Sequence, residues 1–359
     1  MDPAALRAEF PVLERFAYLN AGTDGPVAAR SARAAQDELE RETRDGRWAA
    51  HFERRQELAA SQRSRYASLM GCEAADVALT TSTSDGVAAA VSGLELAPFE
   101  EILTSTDEHP GLLGALRAAR DQRGLSVRAV PFERLAEEVA DHTRLVACSH
   151  VSWLDGRLAP AQLADIPVPV LLDGAQGLGA VPVDVRALGC DFYAASGQKW
   201  LCGPDGTGSL YVRPEVAATL DPPWPSYMSL AEPARASELI AHEGARRFDM
   251  GVPAGPPTAW CLAAIELLQE AGLEWVTTRA ADGAERLAGM LAERGLDVAP
   301  RGRSTLVSWR SADAEADVGR LAEQGIVVRF LPGLGLVRAS VGAWTSDDDL
   351  DRLAAAAAP

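Results

Sequence analysis

Between Val77 and Val212 a series of short apolar runs, V-A-L-T, I-L-T-S, V-R-A-V, L-V-A-C-S, V-L-L-D, F-Y-A-A-S and L-Y-V, alternates with helix-like stretches. Such short apolar runs read as strands, and the continuous run that ends at Asp173 as one buried on both faces. Strands of that kind alternating with helices imply an α/β fold, a mostly parallel sheet covered by helices. Open sheets of this type place their ligands beyond the carboxyl ends of the strands. The residues of this chain with chemical capability fall just after several of these runs.

Lys199 is the only lysine; the other 33 of the 34 basic Lys and Arg side chains are arginine. Arginine stays protonated and is a poor nucleophile, whereas a desolvated lysine loses its proton and attacks a carbonyl to form a Schiff base. It follows the strand-like Asp191–Ser196 run and precedes the glycine-rich G-P-D-G-T-G, which puts it at a strand end beside flexible backbone. Upstream, V-P-V-L-L-D-G-A-Q carries Asp173 at the end of a buried run. A carboxylate there costs free energy unless a cation meets it. It either faces a cationic ligand or caps the following turn, a common task for Asp before Gly. T-S-T-S-D-G opens the apolar helical stretch V-A-A-A-V, and free N–H groups at a helix start bind a dianion, with Thr83 and Ser84 placed to add hydroxyl donors.

These segments, taken in order with D-E-H (Asp107 to His109), S-H-V-S-W (Ser149 to Trp153) and S-G-Q-K (Ser196 to Lys199), resemble the class V aminotransferase family of fold-type I pyridoxal phosphate (PLP) enzymes. The resemblance extends from Y-L-N-A-G-T-D-G-P (Tyr18 to Pro26) to R-A-S-V (Arg338 to Val341). It implies pyridoxal 5'-phosphate as cofactor, with Lys199 holding its aldehyde and Asp173 pairing with the ring nitrogen. Gln176 would bond the phenolic oxygen, and His109 would stack on the ring. Lys199, His109 and Asp173 are then the catalytic set. Ser196 and Gln198 join Thr83 and Ser84 at the phosphate, Gln198 departing from the His that cysteine desulfurases of this type carry. Substrate contacts fall to Arg338, which grips an α-carboxylate through a bidentate pair, and to Asn20 and Trp153. Arg329 is either a second carboxylate ligand or part of a surface ion pair.

The resemblance also bears on the reaction. Cysteine desulfurases carry a nucleophilic Cys on a loop before the carboxylate-binding Arg, but only F-L-P-G-L-G-L-V separates Arg329 from Arg338, and no Cys follows Cys261. The pattern is closer to cysteine/cystine C–S lyases, which release pyruvate, ammonia and a sulfur product. A transaminase, an isopenicillin N epimerase-like enzyme and, further off, a non-enzymatic PLP-binding regulator are the alternatives. The segment Arg246 to Gly255 matches one that reaches a neighbouring subunit's cofactor, so a homodimer with shared active sites is expected. Many relatives have a hydroxyl residue near Gly255 that this chain lacks.

A net charge of −17 argues against nucleic acid or an anionic membrane as partner. The five cysteines lack metal-ligand spacing, and with no signal peptide or membrane-length apolar span a cytoplasmic protein with reduced thiols is expected. Cys202, close to Lys199, reads as a packing residue. The expected division is a large PLP-binding domain, 18–255, with its seven-stranded sheet and one antiparallel strand, and a smaller α/β domain from 1–17 and 256–359. In the latter a long helix follows P-A-G-P-P, with helix-like 276–294, strand-like 304–309, helix-like 312–324, two arginine-bearing strands and a terminal helix after T-S-D-D-D. The closing A-A-A-A-A-P is expected to fray.

Overall fold

The computed structural model describes residues 1–357. The chain opens with helix α1 (Pro3–Ala8), strand β1 (Ala17–Tyr18) and two long helices, α2 (Ala29–Asp45) and α3 (Ala49–Met70). The alternating region then forms β2 (Val77–Thr80), α4 (Thr83–Gly93), β3 (Glu101–Ser105), α5 (Pro110–Arg123), β4 (Ser126–Val130), β5 (Thr143–Ser149), β6 (Val170–Asp173), β7 (Phe192–Ser196) and β8 (Gly208–Val212). Every apolar run picked out above is a strand. Their sheet has seven strands in the order β2-β8-β7-β6-β5-β3-β4. Only β8 runs against the rest, pairing antiparallel with both β2 and β7.

Side chains along the central strands alternate between two cores, as a period of two requires. Leu145, Ala147 and Leu171 pack with Val87, Leu112 and Leu116 of α4 and α5. Val146, Cys148 and Leu172 face the opposite core, which contains Tyr66 and Met70 of α3 together with Cys261 and Ile265. Burial on both faces explains why these strands read as unbroken apolar runs.

Beyond a short helix α6 (Pro214–Ala217) and the proline-rich connector come α7 (Gly255–Ala271), α8 (Leu273–Glu293), β9 (Leu306–Arg310), α9 (Ala314–Glu323), β10 (Ile326–Val327), β11 (Arg329–Leu331), β12 (Leu336–Ser340) and α10 (Asp347–Ala357). The G-P-P segment, expected before α7, is its first turn: proline is tolerated there because the first N–H groups of a helix have no intrahelical acceptor. Strands β11, β12 and β9 form an antiparallel sheet, covered by a third core that includes Leu287, Trp309, Leu321 and Leu353. The N-terminal segment joins this part of the molecule. Arg7 pairs with Asp349 at 2.6 Å, Phe10 packs on Trp344, and β1 lies parallel to β10. Strand β1 thus straddles the division expected between residues 17 and 18.

The expected fraying of the alanine run is corrected. Ala354 and Ala357 are buried in α10 against the third core, since alanine combines high helix propensity with a side chain small enough for close packing. Residues 358 and 359, the remainder of that expectation, lie outside the described residues.

A buried ion pair fastens the sheet's edge. Arg63 Nη2 donates to Asp249 Oδ2 at 2.6 Å, Arg63 Nη1 donates to the Val77 carbonyl, and Asp249 Oδ1 accepts from the Leu79 amide at 2.9 Å. Removing one partner strands a buried charge, so Asp249→Ala should lower unfolding stability by about 3 kcal/mol. A Leu79→Ala control removes packing without touching the ion pair, and denaturant titration of both variants measures the difference.

Candidate active site

Strands β2, β3, β5, β6 and β7 point the same way, so the segments after their carboxyl ends converge on one edge of the sheet. A cavity of about 270 Å³ opens there. It is lined by Thr83, Ser84, His109, Trp153, Asp173, Gln176, Ser196, Gln198 and Lys199 from the large sheet, and by Arg329 and Arg338 from the C-terminal sheet. Of the residues expected at the site only Asn20 stands apart from the lining: its Oδ1 accepts from Thr23 Oγ1 at 2.8 Å, and it bridges to Ser340. Asn20 therefore shapes the wall through Thr23, which does line the cavity.

Asp173 closes β6 and is buried, with one carboxylate oxygen accepting from the Ala175 amide at 3.0 Å. The carboxylate thus caps the following turn, as one of the two readings expected, and also lines the cavity. Burial raises its pKa while the charge of Lys199 pulls it back. The turn after it needs Gly174, because a Cβ there would lie 2.2 Å from the ring of Tyr193. Gln176 is held between two fixed groups: Nε2 donates to the Gly22 carbonyl at 2.7 Å, and Oε1 accepts from Trp200 Nε1 at 2.9 Å. Indole only donates, which fixes the amide's orientation and leaves a second N–H for a ligand.

Lys199 sits in the turn after β7, where the N-terminal strap passes so closely that a Cβ on Gly25 would be 2.2 Å from the Lys199 carbonyl oxygen. Burial, partly opposed by Asp173, brings its ammonium pKa down to about 8. About a tenth of the amine is neutral at pH 7, against about one part in three thousand for an ordinary lysine.

The first turn of α4 supplies the anion cradle. Ser82 caps the helix by accepting from the Asp85 amide at 3.1 Å, and the helix presents its N-terminus to the cavity through Thr83 and Ser84. Thr83 Oγ1, Ser196 Oγ and Gln198 Oε1 are buried with no hydrogen-bond partner. The orphaned hydroxyls of Thr83 and Ser196 beside a helix N-terminus fit a phosphate dianion, to which a hydroxyl donates.

His109 caps α5, its Nδ1 accepting from the Gly111 amide at 3.0 Å, so a neutral ring carries its proton on Nε2. Burial, reinforced by Lys199, Arg338 and Arg329, depresses its pKa to about 4 and keeps it uncharged. Trp153 meets it edge-on, with ring centroids 5.1 Å apart, and is fixed by donating to the Asp107 carbonyl at 2.9 Å. A neutral aromatic surface held on two sides suits stacking on a flat heterocycle.

Arg329 and Arg338 are directly opposed across β11 and β12. Arg338 is 2% exposed and donates through Nη1 to the Trp153 carbonyl at 2.6 Å, while its Nε has no partner. Arg329 donates to Thr23 Oγ1 at 3.2 Å. Among the described residues neither guanidinium has a carboxylate partner, so the surface ion pair left open for Arg329 is absent. Burial and Arg329 pull the pKa of Arg338 down to about 9. Like charges facing each other across a ladder repel, and a bound carboxylate relieves that repulsion.

Sequence reasoning passed over two carboxylates. Glu108, although inside the D-E-H motif, was given no role. It is buried, accepts from Ser105 Oγ at 2.6 Å and from the Ser149 amide and hydroxyl at 2.9 and 2.6 Å, and joins the loops after β3 and β5. Burial, with Asp173 adding to it, pushes its pKa up to about 7. Asp24 lines the cavity with Gly22 and Thr23. The available signal was a charged residue in a glycine-flanked turn, a weak one without the fold.

The fold and the cavity together define a fold-type I enzyme scaffold: a mostly parallel seven-stranded sheet with an amine, a buried carboxylate and an anion cradle at its carboxyl edge. The chain belongs to the aminotransferase class-V family, whose model matches residues 27–353. A probable cysteine desulfurase of Pseudomonas aeruginosa is 31% identical, covering 98% of this chain and 96% of the relative. Two solved structures of C-DES are similar at 27% identity. A lysine-to-alanine mutant with glycine covalently linked to its PLP cofactor has a TM-score of 0.93 and covers 98% of each chain. The cystine C–S lyase C-DES in complex with its reaction product cysteine persulfide has a TM-score of 0.92, covering 97% of this chain and 99% of that one.

The depressed pKa of Lys199 has a direct readout. Reductive methylation with formaldehyde and cyanoborohydride, followed by peptide mapping to separate Lys199 from the Met1 amine, should give a Lys199 rate that rises with pH and is half-maximal near pH 8. A midpoint near 10 would assign Lys199 an ordinary, solvated amine.

Proposed function

We propose that this chain is a pyridoxal 5'-phosphate enzyme that cleaves the Cβ–S bond of cystine or a related sulfur amino acid, giving pyruvate, ammonia and a sulfur product. The observation that carries the choice of an amino acid is the opposed, uncompensated pair Arg329 and Arg338 beside the amine of Lys199. The cofactor assignment is supported by the orphaned hydroxyls of Thr83 and Ser196 beside the α4 terminus, the buried Asp173 and the neutral His109. When bound, the cofactor supplies an electron-accepting ring that tolerates negative charge at the substrate's Cα.

Thr83, Ser84, Ser196 and Gln198 would hold the phosphate, and His109 would cover one face of the ring. Asp173, ionised, would keep the ring nitrogen protonated, with Gln176 at the phenolic oxygen. Lys199 would hold the cofactor's aldehyde, and its amine, whose pKa burial lowers, would serve as the base for the substrate's Cα proton. Arg338 fixes the α-carboxylate and so the face on which that proton is presented. The Cβ–S bond then breaks with its electron pair leaving on sulfur, as a persulfide when the substrate is cystine. Water converts the released three-carbon enamine to pyruvate and ammonia.

The same cavity weighs against a desulfurase route. None of the five cysteines lines it; Cys148, Cys190, Cys202 and Cys261 are buried and Cys72 is half-buried. Strands β11 and β12 are joined by the tight turn Pro332 to Gly335, in place of a thiol-bearing loop. A persulfide leaving group needs no enzyme thiol to accept the sulfur.

A homodimer belongs to this proposal. Trp48, Phe52 and Tyr227 are exposed, and Phe52 and Tyr227 meet edge-on with centroids 6.4 Å apart, an apolar patch suited to a second copy. Five free thiols fit a cytoplasmic location. No helix among the described residues is long and apolar enough to cross a membrane.

Purified protein supplied with the cofactor should form pyruvate and a thiol-reactive persulfide in equal amounts from cystine. Keto acid production without persulfide would favour transamination instead. Lys199→Ala should abolish turnover, and Arg338→Gln should lower kcat/KM on the order of 100-fold, mostly through KM, as loss of a buried bidentate carboxylate contact requires.

A further inference from the structure

The strands that bring His109 and Trp153 to the cavity separate before they reach it. Strands β3 and β5 are parallel neighbours, but their ladder ends at the pair Leu103 and Val146, short of Ser105 and Ser149 where the strands themselves end. On its other side β5 stays paired with β6 as far as Ser149 and Asp173, and the His150 amide goes on to the Asp173 carbonyl at 2.9 Å. The Ser149 amide faces the side that β3 has left. A buried N–H there needs an acceptor from somewhere other than a strand.

Glu108 supplies it. One carboxylate oxygen, Oε2, accepts from the Ser149 amide at 2.9 Å and from the Ser149 hydroxyl at 2.6 Å, while Oε1 accepts from Ser105 Oγ at 2.6 Å. Ser105 Oγ itself accepts from the Asp107 amide at 3.2 Å, which leaves its own proton for Glu108. Three hydrogens converge on one side chain, and an ionised carboxylate meets them because it only accepts. Glu108 is 4% exposed and does not line the cavity, so it acts through its neighbours. The other ties between the two loops are weaker in kind. The Arg157–Asp107 pair is partly exposed and screened by solvent, and the bond from Trp153 to the Asp107 carbonyl is a single neutral one.

We infer that Glu108 is a positioning residue: its side chain stands in for the missing ladder where β3 and β5 diverge, and that bridge sets His109 and Trp153 against each other on the cavity wall. The functional consequence rests on the cofactor assignment made above, since His109 covers the ring. The residue after Glu108 is His109 itself. The loop held through Ser149 carries Trp153, whose ring meets His109 edge-on and whose carbonyl accepts from Arg338 at 2.6 Å. A slip between the loops would displace all three groups, and displacements well under 1 Å are enough to spoil a binding constellation.

Affinity of the apoprotein for pyridoxal 5'-phosphate is measured by equilibrium dialysis at pH 8, where Glu108, its pKa pushed up to about 7 by burial, is ionised. Glu108→Ala should weaken binding about tenfold, and Glu108→Gln, whose amide oxygen can keep both Ser149 bonds, should stay within about twofold of wild type. His109→Ala removes the ring through which Glu108 acts, so in that background Glu108→Ala should cost less than about threefold. The same loss with and without His109, no loss at all, or a Gln variant as weak as the Ala variant overturns the inference. Hydrogen exchange of the apoprotein reads the bridge without the cofactor. Residues 105–109 and 149–157 should exchange faster in Glu108→Ala than in wild type or Glu108→Gln, and unchanged exchange overturns the bridge. If the wild type binds no pyridoxal 5'-phosphate, the cofactor assignment fails and exchange alone decides Glu108. Where Glu108→Ala does not fold, Ser149→Ala, which removes one hydroxyl bond and leaves the carboxylate in place, takes over both measurements. About a threefold loss of affinity with faster exchange is then expected, and wild-type behaviour in both overturns the inference.

Discussion

A carboxylate at the end of a strand buried on both faces is the constraint around which this molecule is arranged. Asp173 cannot be solvated where β6 ends, and Ala175 supplies only one hydrogen bond. The remaining stabilisation has to come from positive charge in the cavity, and Lys199 is the cation of this chain that acts on it. The same desolvation acts on both groups in opposite senses, raising the acid and lowering the amine. For the amine this favours the neutral form that its chemistry demands, whereas the carboxylate depends on positive charge in the cavity to stay ionised.

The C-terminal sheet repeats this arrangement with the sign reversed. Two guanidinium groups are opposed across β11 and β12, and the protein spends no carboxylate on either. A structure selected for stability alone would pair them, since an unpaired buried cation is among the most costly features a core can contain. Their neutralisation is left to a ligand. The two halves of the cavity thus have complementary deficits, and the N-terminal strap, threaded past Lys199 at Gly25 and tied to Arg329 through Thr23, joins them.

Much of this was legible in the sequence, for identifiable reasons. The central strands announce themselves because burial on both faces forces unbroken apolar runs, and the single lysine marks the site because nothing else in the chain can do its chemistry. His109 and Arg338 were named through family resemblance, and their neutrality and isolation emerged only with the fold. Glu108 was hidden because its three hydrogen bonds come from loops far apart in sequence, around Ser105 and Ser149. Asp24 was hidden because a turn residue joins a cavity wall only once the chain has folded. The alanine run of α10 misled because composition alone does not reveal which face of a helix meets a core.

The turn from Pro332 to Gly335 has an implication for where the sulfur goes. Leu334 hydrogen-bonds back to the Leu331 carbonyl at 3.2 Å, and Gly333 and Gly335 adopt left-handed conformations, so the two strands are joined by a tight four-residue turn. No arm of this polypeptide extends from that point to ferry sulfane cargo to another protein. On the proposed chemistry the sulfur product forms without passing through a thiol on this turn.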